Sequence, residues 1–563
     1  MKTKTETETE NFQERKSRRT AAIDFFKTVA IYLLTASMLT AAGVYISNRQ
    51  NASQPAEMPW EKRRIIESGG VPAEININES QINPIQITIT ANGDSFTAIY
   101  NYKLISDSDI NENFIKYSIR GIFSKNSECR RLEKEEGENL WKSCTEKENS
   151  VYVKYAGNYI YPVIYTFLDE TWDIRNAADA FSDKNRELAM VHELFIVDEA
   201  PVYGIAKDTD GNVSVFIPET ETGNIIKSYI NTENLLTYNN TAGVIPYPCE
   251  FLKGDDISSK TGINSNNIRN LKFPVDFHLF YNHNTYSSVL KFSNPVSDEN
   301  GKINTDQDFI RNLFKIFNFN IENSSSYPIN NGITFTDGKD GKNTVSFYND
   351  GRIIYNYKPS DLSLANLSDI NEPGGIHLIK FLGYDAGYYT SYEKIKAASV
   401  FVSSLDSELT GNGCSIYLKN IISDSDENLK VIFCYYYDGI KIKINGSDEG
   451  IVITINKNSI TEVKINSLYL SSLNVMIKNM NPILILTGTD DLITRDIESV
   501  EYTDNGNGEE VKKTKEEIAQ KYKLKYDKIQ DKFIVNEFEL IYNIKYTDGK
   551  NNGDSVKAVW EIR

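Results

Sequence analysis

His192-Glu193 is the pair in this chain most suggestive of chemistry, because a His-Glu dipeptide opens the zincin motif, completed by a second histidine four residues after the first. That position holds Ile196, so a zinc site cannot form this way, and the pair is expected on a helix surface. The only other histidines are His278, His283 and His377. His278 and His283 lie in the aromatic stretch 273–286, where packing or a surface hydrogen bond explains them better than metal ligation. Asp208, Asp210, Asn212 and Glu219 match positions one, three, five and twelve of a calcium-binding loop. The sixth position, which needs glycine for its sharp bend, is Val213, and the flanks alternate like strands, so a hairpin turn is the better reading. Neither a Gly-x-Ser-x-Gly elbow nor a lysine-bearing phosphate loop occurs. No catalytic residue, metal ligand or cofactor site is expected.

Five cysteines are too few for a disulfide scaffold. Cys129 and Cys144 flank a charged insert, and a bond between them would close a loop worth about 3 kcal/mol. Residues 414–421 and 429–437 read as strands around a polar turn. A hairpin centred near Asp424 sets Cys414 opposite Cys434, a geometry that permits adjacency without proving a bond. Buried free thiols are the alternative, and Cys249 is left over.

The elements holding these residues read mainly as antiparallel sheet. Asp-Gly pairs at 210–211, 337–338, 340–341, 350–351, 438–439 and 548–549 separate alternating β-branched and aromatic runs, a strong hairpin signal. Residues 203–206 with 213–217, and 345–348 with 352–357, are two such pairs. Tyrosine clusters at 435–437 and 388–389 suit strands, or the wall of a peptide groove. The run 133–138 is a solvated acidic face. Helices are few. One carries Phe309, Leu313 and Phe317 on one face. A second follows Thr390 with Glu393, and a third follows Thr514 with Glu517; both openings have capping-box spacing. A helix followed by a strand meander occurs twice, after Phe317 and after Leu405, which predicts two repeat-related α+β domains.

Residues 29–46 run without a charge, and at about 1.5 Å per residue they span roughly 27 Å, close to the apolar thickness of a bilayer. Arg15, Lys16, Arg18 and Arg19 precede the run, so the N-terminus is expected in the cytoplasm and the bulk of the chain outside, on a single-pass cell-membrane anchor. The competing reading is a cleaved signal peptide with Thr40, Ala41 and Ala42 at the cut. The long polar leader and the length of the apolar run favour the anchor. Ala36, Ser37, Thr40, Ala41 and Gly43 form a small-residue face that suits helix pairing in lipid. A net charge of −17 argues against nucleic-acid binding and against lying flat on anionic lipid. The expected organisation is a tail at 1–24, a transmembrane helix at 25–46 and a linker at 47–80. Extracellular α+β domains follow at 81–262, 271–366 and 376–563.

Several stretches resemble the YycH family and its relative YycI. FIRNLFKIFNF at 309–319 is similar to the family's helix ahead of its middle hairpins, and VSFYNDGRIIYNY at 345–357 to the hairpin that follows. Residues 451–465 resemble the corresponding C-terminal hairpin, and 538–562 the closing strand pair, which ends in a tryptophan strand. Two departures stand out: Ala558-Val559 precede Trp560 where the family often has proline, and the insert between Cys129 and Cys144 has no counterpart. The resemblance implies a regulatory protein, not an enzyme, tethered beside the WalK (YycG) sensor histidine kinase and a second accessory membrane protein, with an effect on cell-wall metabolism. A tethered module binding peptidoglycan or peptides is the alternative, and a wall hydrolase a more distant one.

Overall fold

Alternating β-branched and aromatic runs fold as antiparallel sheet, with helices laid on the sheet faces. The computed structural model describes residues 79–99, 116–124, 126–168, 189–239, 246–252, 271–272, 278–281, 285–297, 302–303, 308–337, 341–358, 375–383, 389–409, 414–423, 428–479, 525–527, 532–534, 538–546 and 555–562. The segment expected to be an anchor, 25–46, with Ala36, Ser37, Thr40, Ala41 and Gly43, lies outside the described residues, as do His283 and the opening at Thr514. Among the described residues no helix is long and apolar enough to cross a membrane.

The first strands are β1 (Gln86–Ala91), β2 (Asp94–Ile99), β3 (Glu128–Arg131), β4 (Ser150–Ile160), β5 (Met190–Val197), β6 (Tyr203–Lys207), β7 (Val213–Ile217), β8 (Pro246–Leu252), β9 (Leu271–Lys272) and β10 (His278–Tyr281). All but β9 join a nine-stranded antiparallel sheet in the order β10-β8-β2-β1-β4-β5-β6-β7-β3. Helices α1 (Lys116–Ile122), α2 (Lys134–Thr145), α3 (Tyr161–Leu168), α4 (Thr220–Tyr229) and α5 (Thr232–Asn239) accompany it. Trp141 and Cys144 of α2 pack with Tyr152, Phe195, Ile205 and Val215 on one face of the sheet. On the other face Phe216 meets Phe123 and Tyr161 edge-on, at centroid distances of 4.9 and 5.2 Å. Covering both faces explains why Leu194, Phe195, Ile196 and Val197 are buried in unbroken succession.

The later strands are β11 (Thr285–Ser293), β12 (Ser324–Ile329), β13 (Gly332–Asp337), β14 (Asn343–Tyr348), β15 (Arg352–Tyr357), β16 (Ile376–His377), β17 (Cys414–Ser423), β18 (Asn428–Tyr437), β19 (Ile440–Ile444), β20 (Ile451–Asn456), β21 (Ser459–Asn466) and β22 (Tyr469–Asn479). β23 (Lys525–Asp527), β24 (Lys532–Ile534), β25 (Phe538–Ile544), β26 (Ser555–Val556) and β27 (Ala558–Ile562) complete the set. A twelve-stranded sheet runs β12-β13-β14-β15-β21-β20-β18-β19-β25-β27, with β16 beside β21 and β17 beside β18. Its strands come from both sides of residues 366–376, joined where β15 pairs with β21 from Arg352↔Asn466 to Asn356↔Glu462. Helices α6 (Asp308–Ile316), α7 (Ile379–Leu382) and α8 (Ser391–Leu409) accompany it. Phe314 of α6 meets Phe335 and Phe347 edge-on, while Phe317 stacks on Tyr355 and on Phe401 of α8. Two smaller sheets, β22-β11-β26 and β23-β24-β9, complete the described topology.

The local signals act through their usual chemistry. Thr390 and Glu393 close a capping box on α8: the Thr390 backbone and hydroxyl both donate to Glu393 Oε2, and Glu393 N–H donates to Thr390 Oγ1. Asp438 and Gly439 turn β18 into β19 with φ of 49° and 75°, the double positive φ that favours Asp-Gly. Asp208 Oδ1 accepts from the Asp210 and Asn212 amides, so the calcium-like residues form the hairpin turn between β6 and β7.

The cysteine hairpin forms, but its register differs from expectation. Cys414 stands opposite Tyr437, and Cys434 opposite Tyr417. The turn is centred further along the chain than Asp424, and β17 has an extra residue between Leu418 and Asn420. Three residues separate Cys434 from Cys414's partner, so the two cysteines emerge on opposite faces of the ladder. Cys129, Cys144, Cys414 and Cys434 are all thiols, and neither proposed disulfide is present.

Candidate functional site

His192-Glu193 lies on a strand, β5, not on a helix. Alternation turns Glu193 toward the same face as Phe195, and burial opposes its charge. The nearby cations Lys207, Lys154 and His192 outweigh burial and hold its carboxyl well below the usual range. Lys207 Nζ sits 2.7 Å from Glu193 Oε2, Tyr152 Oη donates to Glu193 Oε1 at 2.7 Å, and the ammonium lies 4.2 Å from the Trp141 ring centroid. The carboxylate is thus a structural anion between strands β4, β5 and β6. His192 Nδ1 is 2.9 Å from Gly157 O.

That contact leads to the place where the two large sheets meet. Between Lys154 and Tyr159 strand β4 leaves its register with β5. The loosened residues lie against β17 at the extra residue of that strand: a Cβ on Gly157 would fall 2.1 Å from Lys419 O. Tyr159 Oη donates to Leu418 O. Ile85 and Ala156 pack on buried Tyr417, Cys434 and Tyr436. Gln81 Nε2 donates to Ser399 O and to Ser403 Oγ, both at 3.1 Å. Two bulges therefore face each other, and only a residue without a side chain fits between them.

Beside this junction runs a set of ion pairs on the C-terminal sheet. Lys419–Asp448 and Lys441–Glu539 are 2.6 Å long, and Lys443–Glu561 is 2.7 Å. Lys441 and Lys443 alternate with the buried Ile440, Ile442 and Ile444, so one face of β19 is apolar and the other cationic. Burial raises the cost of a charge on Asp448, but the hydrogen bond and the charge of Lys419 prevail and lower its acidity range.

The thiols here are not poised for chemistry. Burial pushes the Cys434 thiol up to about 12 and the Cys144 thiol up to about 11, so both remain protonated near neutrality. Cys434 Sγ donates to Tyr417 O at 3.6 Å, and Cys144 Sγ lies 3.9 Å from Tyr203 Oη. Tyr389, Tyr435, Tyr436 and Tyr437 are all buried, and Tyr388 lies outside the described residues. Among the described residues no group of three or more His, Cys, Asp and Glu side chains can hold a metal ion. An open cleft of about 290 Å³ lies between α2 and the β3–β7 edge, with Leu140, Tyr203 and Val215 at its floor and Glu128, Arg130 and Glu199 at its rim.

The arrangement is thus a mechanical coupling of two sheets. Of the residues to which the sequence pointed, Cys434 and Tyr436 belong to the junction, whereas Gly157, Tyr159 and the β19 lysines were not singled out. The Ile-Lys-Ile-Lys-Ile alternation of β19 was the available signal.

No family model matches the chain, and no curated protein sequence matches it. Among solved structures it is similar to the crystal structure of YycH from Bacillus subtilis, with a TM-score of 0.41 and 10% identity, covering 89% of this chain and 96% of that one.

Proposed function

We propose that this protein is a membrane-anchored, extracytoplasmic accessory protein that adjusts the activity of a cell-wall-related sensor histidine kinase, together with a second accessory membrane protein. The observation that carries this reading is the order of the sequence: a basic leader, eighteen uncharged residues at 29–46, then more than five hundred residues rich in strand signals. The YycH-like stretches at 309–319, 345–357, 451–465 and 538–562 support the regulatory role. Regulation by a one-span protein needs contacts that differ between two kinase states, made in the bilayer or outside it. The bilayer route is assigned to Ala36, Ser37, Thr40, Ala41 and Gly43, and the external route to the C-terminal sheet. The helix-plus-meander segments after Phe317 and Leu405 are taken as related units of one scaffold.

The test is autophosphorylation of the kinase in lipid nanodiscs, with and without the full-length chain. A rate that changes on adding the chain, and reverts when leucine replaces Ala36 and Thr40, supports the proposal. An unchanged rate refutes it.

A further inference from the structure

Strand β22 is an eleven-residue strand at the end of the sheet β22-β11-β26 and, among the described residues, its ladder partner is β11 alone. Its pairing slips between Leu290↔Ser472 and Ser288↔Met476, so residues 473–475 stand against the single residue Val289. This bulge turns apolar side chains outward. Leu473 is 43% exposed, Val475 51% and Met476 57%, with Tyr469 at 45% on the same strand. Four of the ten large exposed apolar side chains among the described residues thus fall on one strand. The far edge of the twelve-stranded sheet, β12, differs: half of it is serine and it carries Pro328, which lacks the donor a new strand needs.

Charge frames the same edge. Lys478 stands opposite Tyr286, and Lys291 opposite both Ser471 and Ser555, two residues from Lys557. All three lysines are exposed, and none makes an ion pair among the described residues. The nearby Asp438 accepts from Ser288 Oγ. Lys557 lies across β11 from β22, so the cations beside the bulge are Lys291 and Lys478; in a chain of net charge −17, two unneutralised ammonium groups there favour an anionic partner over a basic one.

We propose that the outer edge of β22 docks an extended segment of a partner protein, one that alternates apolar and acidic residues and adds to the sheet as a further strand. Main-chain hydrogen bonds supply the pairing, the Leu473–Val475–Met476 bulge supplies apolar contact, and Lys291 and Lys478 supply the preference for acid. The proposal does not depend on the partner being a kinase or its accessory.

The test uses the full-length chain in zwitterionic nanodiscs and a fluorescein-labelled peptide alternating valine with glutamate, with a valine–lysine peptide as its counterpart. Fluorescence polarisation is expected to show at least about tenfold tighter binding of the acidic peptide. Val475→Asp with Met476→Asp is expected to abolish that binding without changing the melting temperature. Lys291→Glu with Lys478→Glu is expected to reverse the preference. Three results each overturn the proposal: no binding of the acidic peptide, equal binding of both peptides, or binding untouched by the aspartates. Self-association that the aspartates abolish would assign the edge to a second copy and also overturn the proposal. Kinase regulation that persists when the peptide fails to bind leaves the functional reading standing.

Discussion

Glu193 shows what single residues contribute here. Its carboxylate is held by Lys207 and Tyr152, so replacing Lys207 with methionine leaves a buried anion without its partner. The expected cost is about 3 kcal/mol in urea unfolding, whereas the double change Lys207→Met with Glu193→Leu recovers most of it. The pH dependence follows in sign. Glu193 and Asp448 both have lowered folded-state ranges, so their stabilisation is complete above the ordinary carboxylate range. It is lost as pH falls through that range toward their folded-state values. Unfolding midpoints are therefore expected to be flat from about pH 6 to 7 and to drop below about pH 4, and Glu193→Gln should flatten part of that drop. The sequence drew attention to this residue for the wrong reason. His192-Glu193 resembled half a metal motif, while the informative pattern was the strand alternation placing Glu193 two residues before Phe195. Its partner Lys207 lies on another strand, and nothing local in the chain announces that pairing.

At the scale of elements, short-range chemistry was legible and cross-strand geometry was not. The Thr390–Glu393 box was visible as spacing and closes as drawn. Thr390→Ala is expected to cost about 1 kcal/mol, measured by denaturant melting. The Asp-Gly turns at 350–351 and 438–439 likewise fix their hairpins. The cysteine hairpin was legible as two strands, but its Ser423↔Leu429 pair already sets the turn further along the chain than expected, and the additional residue in β17 changes the pairing by one more position; a bulge has no simple sequence signature. The same holds for the excursion of β4. Gly157 is required because Lys419 O occupies the space a side chain would take. Gly157→Ala is therefore expected to part β4 from β17. Hydrogen exchange at Leu418 and Lys419 should accelerate at least about tenfold, while that of Val345 and Phe347, far along the same sheet, should not change.

The whole molecule joins two large sheets through that junction, and the C-terminal sheet passes without a break from β15 to β21. The sequence suggested separate helix-plus-meander segments, because a meander shows its local hairpins and not the neighbour that its last strand will find. In the described residues those segments share a sheet and bring α6 and α8 together at Phe317 and Phe401. The contacts of Tyr159 and Gly157 connect the C-terminal sheet directly to the N-terminal sheet. Such a connection suits a protein proposed to bias a partner by contact and not by turnover. The most direct test of that claim is quantitative co-purification of the full-length chain with the WalK-type kinase from membranes, comparing wild type with Ala36→Leu plus Thr40→Leu. Recovery of the kinase is expected to fall at least about fivefold while the melting temperature of the chain stays the same. Undiminished recovery, or equal recovery with a secreted chain lacking residues 1–50, would contradict that claim.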